Sequence, residues 1–414
     1  MTDQTSFSPA PQPSARAWGW RELVRRLRGA EGFWFVVGVF VASRVLVLLV
    51  SVVGPYLVPP GPFSPGLAAT TTWHGYWARW DADLYVDIAR RGYEYNMHDA
   101  SNVAFFPLFP MLMRSLAWLG LDVAAAGILI SNLCFFAGLL VFHRFVREEF
   151  RRPQLPELAT SFMAFGPGAF WCSVGYTESL YFLLAVTFCR ALWSKSPGWS
   201  VIWGVLTGLT RSNAITLAVP ALVLAWPMVR MAWQARRIGR LILLGFAVFS
   251  PWIGYMLYAG YLQMAFGDWR ANQVTSLAGW GAGVSFDPAL LLTKLPGVGL
   301  KLFWASGAFN EYVAWSWFVA LAVSVFAFIA FWEARAPRWH AAFLVGFWGF
   351  FAFAYQYNEP LVSMGRYTSL VFPLYVAGAL FAERRPWARS ALLAASVVGM
   401  TLTTISFFAG YHIN

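Results

Sequence analysis

Residues Trp118–Phe142 read WLGLDVAAAGILISNLCFFAGLLVF, and the chain then adds Arg144, Arg147, Arg151 and Arg152. An apolar run of this length reaches across a bilayer as a helix. Arginines gathered at its end mark the side that stays in the cytoplasm. The same device recurs along the chain. Further apolar runs are Phe33–Val53, Leu158–Ser173, Tyr176–Trp193, Val201–Thr210, Ala214–Trp226, Leu241–Leu262, Ala314–Trp332, Ala341–Tyr357, Thr368–Phe381 and Ala391–Phe408. Of 414 residues, 59% are hydrophobic and 12% charged, about half the charge of a soluble domain. The expected fold is all-α: a polytopic transmembrane helical protein of about eleven spans.

Working outward from Trp118–Phe142 fixes the threading. Residues 1–32 form a polar tail carrying Arg21, Arg25, Arg26 and Arg28, which sets the start of the chain in the cytoplasm. The rest, 33–414, reads as one transmembrane domain. Phe33–Val53 then runs outward, and residues 54–117 make a first outer loop. Because the next strong run must return inward to its arginines, Phe105–Ala117 cannot be a full crossing. Pro107, Pro110 and Arg114 agree with an interfacial or re-entrant piece. Residues 263–312 make a second long outer loop, and the clusters Arg230/Arg236/Arg237/Arg240, Arg335/Arg338 and Arg384/Arg385/Arg389 fall inside. Several spans between Leu158 and Trp226 are short, which calls for tilting or a locally thinner membrane.

The net charge of +11 first suggests a nucleic-acid partner. Its placement in short clusters between apolar runs argues for a membrane-lipid partner and no nucleic acid. Cys134, Cys172 and Cys189 lie in apolar segments without ligand or pairing spacing and read as small buried hydrophobes. His74 and His98 also lack ligand spacing, so neither a metal nor another cofactor is called for.

Hydropathy and arginines alone set this threading, yet the polar motifs collect on one side of it. Trp80-Asp81, Tyr176-Thr177-Glu178, Arg211-Ser212-Asn213, Asp268 and Arg366 all land outside. Ionisable groups next to a bilayer are costly and usually have a task. Each also has a plainer reading. Asp81 can cap the amphipathic helix that Leu84, Tyr85 and Ile88 imply, and Asp83 can favour its dipole. Glu178 can do the same for its span, or pair with a cation or substrate beside Tyr176. Arg211 is either a solvated loop residue or a paired or phosphate-binding one; the same choice holds for Arg366, while Asn213 can cap the helix after it.

These residues carry a resemblance. Arg79-Trp80-Asp81-Ala82, Ile88-Ala89 with Gly92-Tyr93, Ala104–Pro110, Tyr176–Ser179 and Arg211–Asn213 resemble, in order and spacing, the family of the second mannosyltransferase of GPI-anchor biosynthesis and its bacterial relatives. The match runs to about Leu217; beyond it only Phe266–Asp268 and Arg366-Tyr367 fit loosely. The resemblance implies a membrane glycosyltransferase of GT-C architecture and a polyprenyl-phosphate-linked mannose donor. It also implies transfer on the non-cytoplasmic face, with the acid of the first outer loop, Asp81, as base. A bacterial plasma membrane is the expected setting, and a glycolipid or glycan the expected acceptor.

The chemistry can be written in these terms. A sugar hydroxyl needs a carboxylate to remove its proton as it attacks, the role given to Asp81. A lipid phosphate leaves as a weak base, so positive charge is needed there more than a general acid. Arg211 and Arg366 are the candidates for that charge. Asp83, Tyr176, Glu178 and Asn213 complete the expected substrate-binding set, Glu178 and Asn213 by holding sugar hydroxyls or orienting an arginine. The competing expectation is a flippase for a lipid-linked sugar without chemistry, which calls for mid-membrane polar groups and an internal repeat.

Overall fold

A computed structural model describes residues 31–61, 76–280, 282–284, 311–356 and 363–411. The expected tail, His74, most of the second outer loop and Asn358–Pro360 lie outside the described residues.

The chain opens with α1 (Glu31–Val53). Val45, Leu48, Leu49 and Val52 stand 47–60% exposed on it, while Ser43, Val47 and Ser51 are buried. That inverts the soluble pattern and is what a lipid-facing helix requires. The short amphipathic α2 (Asp81–Arg91) buries Ala82, Tyr85, Ile88 and Ala89. Leu84, expected on that face, is only half-buried, because the buried stripe turns towards the small Ala82 and Ala89. α3 (Leu108–Ala117) is a ten-residue helix. Its Arg114 donates to the carbonyls of Ile88 and Ala89 at 2.9 and 2.8 Å, satisfying the open end of α2. The arginine that spoils Phe105–Ala117 as a span is therefore the clamp between α3 and α2.

α4 (Val123–Phe150) is the span expected from Trp118–Phe142, started later by its N-cap: Asp122 accepts from the amides of Ala124 and Ala125. α5 (Leu155–Phe165), α6 (Glu178–Trp193) and α7 (Pro197–Gly208) are short; α8 (Ala218–Gln234) and α9 (Ile238–Phe266) follow. Then come α10 (Ala271–Trp280), α11 (Glu311–Ala334), α12 (Arg338–Phe353), α13 (Met364–Ser369), α14 (Pro373–Glu383) and α15 (Pro386–Phe408). Two three-residue strands, β1 (Ala282–Val284) and β2 (Ala354–Gln356), pair antiparallel with Gly283 opposite Tyr355.

This is an integral membrane protein. Among the described residues five helices are long and apolar enough to cross a bilayer: Gly32–Tyr56, Val123–Phe150, Ser212–Gln234, Ile238–Phe266 and Pro386–Phe408. Of the other runs in the expected set of about eleven, Ala314–Trp332 lies within the 24-residue α11, and several form shorter helices. α5, α7 and α14 have 11, 12 and 11 residues, because Gly166-Pro167, Gly208 and Pro373 interrupt the apolar sequence.

Small residues let α7 and α9 touch. A side chain at Gly208 would overlap the Pro251 carbonyl, and one at Gly254 the Val205 carbonyl, so these backbones meet directly. At one end of the bundle, Glu148 takes Arg144 and Arg190, Glu383 takes Arg152, and Glu149 takes the indole of Trp339 and the ring of His340. These join the ends of α4, α6 and α14 to the start of α12. The start of α6, which carries Glu178, lies at the other end.

Candidate active site

Four segments far apart in sequence supply the charged cluster. Trp80 precedes α2 with φ 61 and ψ −122. That is strained for a bulky residue, by about 1–3 kcal/mol. The helix then starts at Asp81, so Asp81 lies inside the first turn rather than at the cap position its plainer reading assigned. Its Oδ2 accepts instead from Nη1 of Arg366 on α13. Nε of the same guanidinium donates to Oε1 of Glu178, the first residue of α6. Arg211, just after α7, donates to that oxygen at 2.6 Å and to the Thr177 hydroxyl at 3.1 Å. Arg366 is thus shared between the two carboxylates, and Glu178 between the two arginines.

Aromatic faces hold the cations flat. The Arg366 guanidinium carbon lies 4.5 Å from the ring centre of Tyr176, and that of Arg211 lies 4.9 Å from Tyr367. The Tyr176 hydroxyl donates to the Arg79 carbonyl at 3.1 Å, which ties the α6 loop to the turn before Asp81. Tyr85 on α2 reaches Thr177 at 3.3 Å.

Burial grades the cluster. The Glu178 side chain is 0% exposed and that of Arg211 9%, whereas Asp81 keeps 33% and can be reached from outside. Buried charges persist only when paired, as they are here. Oε2 of Glu178 and Oδ1 of Asn213 are buried acceptors without a donor. Asn213 does not cap the helix after it. It lines a small cavity with Tyr181, Thr216, Phe347, Phe351 and Tyr367.

Asp83 joins none of these pairs among the described residues. Partial burial raises its carboxyl above the usual value, against the pull of Arg79. Burial lowers Arg79, which Tyr76 and Asp83 partly oppose. Asp268 also stands apart from the cluster: its carboxylate accepts the Tyr95 hydroxyl at 3.0 Å and the Arg270 amide at 2.9 Å. Among the described residues, no group of three His, Cys, Asp or Glu side chains could hold a metal ion.

Thr177, Tyr85 and Tyr367 stand in the sequence only as parts of motifs or of a helix face, not as expected site residues. Arg44 is a charged residue within the apolar helix α1. It donates to Ser173 Oγ at 2.5 Å and to the Ala169 carbonyl at 3.0 Å, fastening α1 to the loop that leads into Tyr176–Glu178.

Comparison with known proteins adds the following. The family model described as Mannosyltransferase (PIG-V) matches residues 40–281. That range contains Asp81, Asp83, Tyr176, Glu178, Arg211 and Asn213 and leaves Arg366 outside. GPI mannosyltransferase 2 of Schizosaccharomyces pombe is 30% identical over 146 residues, which cover 34% of this chain and only 30% of that relative's length. Two solved structures are similar. The Archaeoglobus fulgidus oligosaccharyltransferase, in complex with Zn and sulfate, is 12% identical with a TM-score of 0.43, covering 90% of this chain and 53% of that one. ArnT of Cupriavidus metallidurans, bound to undecaprenyl phosphate, is 14% identical with a TM-score of 0.44, covering 92% and 76%.

Proposed function

The chain belongs to the mannosyltransferase (PIG-V) family, and on that premise we propose that it moves a mannosyl residue from a polyprenyl-phosphate donor to a hydroxyl of a glycolipid or glycan acceptor. The reaction takes place on the non-cytoplasmic face, in a bacterial plasma membrane, on a GT-C scaffold. One observation carries this reading: a half-exposed carboxylate, Asp81, held by an arginine that is itself fixed on a fully buried glutamate.

Asp81 is the general base. It takes the proton of the acceptor hydroxyl while that oxygen bonds to the anomeric carbon. The bond from the anomeric carbon to the phosphate oxygen breaks, and its electron pair leaves with the polyprenyl phosphate. One displacement inverts the centre, so a β-linked donor gives an α-linked product.

The charges follow the proton. Asp81 and Glu178 balance Arg211 and Arg366 at rest. When Asp81 is protonated, the four groups carry one net positive charge, at the moment when the leaving phosphate gains a negative one. Arg366, relieved of the Asp81 charge, then faces the developing anion. The open Oε2 of Glu178 and Oδ1 of Asn213 suit the hydroxyl donors of a sugar, and Tyr176 and Asp83 complete the proposed substrate-binding set.

Purified protein supplied with labelled polyprenyl-phosphate mannose and a membrane glycolipid extract tests this. Labelled glycolipid and free polyprenyl phosphate should form together. Movement of the labelled donor across proteoliposomes with no new glycosidic bond would replace the reading with a flippase.

A further inference from the structure

The resting cluster has no positive charge to spare. Arg366 is divided between Asp81 and Glu178, and Arg211 is spent on Glu178 and Thr177. A phosphodiester-linked sugar arrives with one negative charge, and something must receive it before any proton moves.

Among the described residues beside the cluster, Arg79 is the uncommitted cation. Its Nε and Nη1 are buried with no acceptor. Among the described residues no carboxylate lies within ion-pair distance of it. Buried polar groups in folded proteins are nearly always satisfied, and a guanidinium left open is an exception that asks for a ligand. Its plane is held over the Tyr76 ring, with the guanidinium carbon 4.5 Å from the ring centre. The backbone is fixed as well, by the Tyr176 hydroxyl on the Arg79 carbonyl and by the strained Trp80 between Arg79 and Asp81.

The location suits a lipid phosphate. Tyr76 packs on Phe408 with ring centres 4.9 Å apart, and its hydroxyl reaches the carbonyls of Ser51 and Phe408 at 3.4 and 3.5 Å. Those carbonyls belong to the closing turns of α1 and α15, both lipid-facing spans. Arg79 therefore stands where two spans end, at the depth of a phosphate whose chain lies in the bilayer, and two residues from Asp81.

We infer that Arg79 receives the donor's phosphate through its two open nitrogens, and that Arg211 and Arg366 position the carboxylates. This rests on the lipid-phosphate donor proposed above. A guanidinium presents paired donors to phosphate oxygens in a way that an ammonium does not.

The test measures binding of undecaprenyl phosphate to purified protein in nanodiscs, for wild type, Arg79→Gln and Arg79→Lys, alongside donor and acceptor KM. Arg79→Gln should weaken undecaprenyl phosphate binding at least tenfold and raise the donor KM in step, with the acceptor KM unchanged. Arg79→Lys should fall between, and carries the test if the glutamine variant does not fold. Undecaprenol should not compete. Wild-type binding or donor KM in the folded variants would overturn the inference, as would equal competition by undecaprenol. Inorganic phosphate captured at millimolar concentration in an Arg79-dependent way would make this a free-phosphate site and also overturn it. Arg79-dependent lipid binding without any sugar transfer would defeat the proposed function and leave this site standing. Sugar transfer with an unchanged donor KM in Arg79→Gln would do the reverse.

Discussion

At the scale of single residues, Glu178 sets the electrostatics. It is fully buried between two guanidinium groups. Removing one partner of such a cluster leaves buried charge uncompensated, which costs about 3–5 kcal/mol. Glu178→Gln should lose stability on that scale when unfolding is followed in detergent; a loss below about 1 kcal/mol would mean the arginines find solvent. Arg366→Lys keeps the charge but cannot reach Asp81 and Glu178 from two separate nitrogens. It should lower kcat at least about tenfold with little change in donor KM; a rise in KM alone would make Arg366 a substrate ligand instead. The sequence displayed Asp81, Glu178, Arg211 and Arg366 because ionisable residues beside apolar runs stand out. It did not display their pairing. Arg366 and Asp81 are 285 positions apart, and neither hydropathy nor spacing holds information over that distance. Arg79 was in view as part of a motif, but an unmet donor is visible only once its surroundings are folded.

At the scale of elements, short helices do much of the positioning. The Pro167–Phe170 turn lies against α13, and a side chain at Gly168 would overlap that of Ser369, whose hydroxyl bonds the Arg366 carbonyl. Gly168→Ala should therefore push α13 away and reduce turnover more than stability, measured as kcat against thermal midpoint. Gly208→Leu, at the α7–α9 contact, should destabilise by about 1–3 kcal/mol through overpacking. A wild-type midpoint would show that the two helices are not in backbone contact. The interruptions that shorten these helices were legible as Pro and Gly in apolar runs. The contact of Gly204 and Gly208 with Ser250, Pro251 and Gly254 was not legible, because a packing partner leaves no mark on the sequence. α2 was legible as a helix from the face shared by Leu84, Tyr85 and Ile88, and α3 as no full span from Pro107, Pro110 and Arg114. The clamp of Arg114 onto α2 was not, because carbonyl partners leave no mark on a sequence.

At the scale of the whole molecule, the arginine clusters and the polar motifs occupy opposite ends of one bundle. The ion pairs of Glu148, Glu149 and Glu383 gather the ends of α4, α6 and α14 with the start of α12, and the Asp81 cluster lies at the start of α6. Reporter fusions after Arg152 and Arg237 should both read cytoplasmic; an external reading at either would reverse the side on which transfer occurs. Asp268 marks the limit of the sequence reading at this scale, since sharing a face of the membrane did not bring it into the cluster. The most direct measurement is the transfer rate of Asp81→Asn with labelled polyprenyl-phosphate mannose. With Asp81 as base, donor binding should stay within about twofold while kcat falls by about 10²–10⁴. Turnover by Asp81→Asn at the wild-type rate would contradict that role.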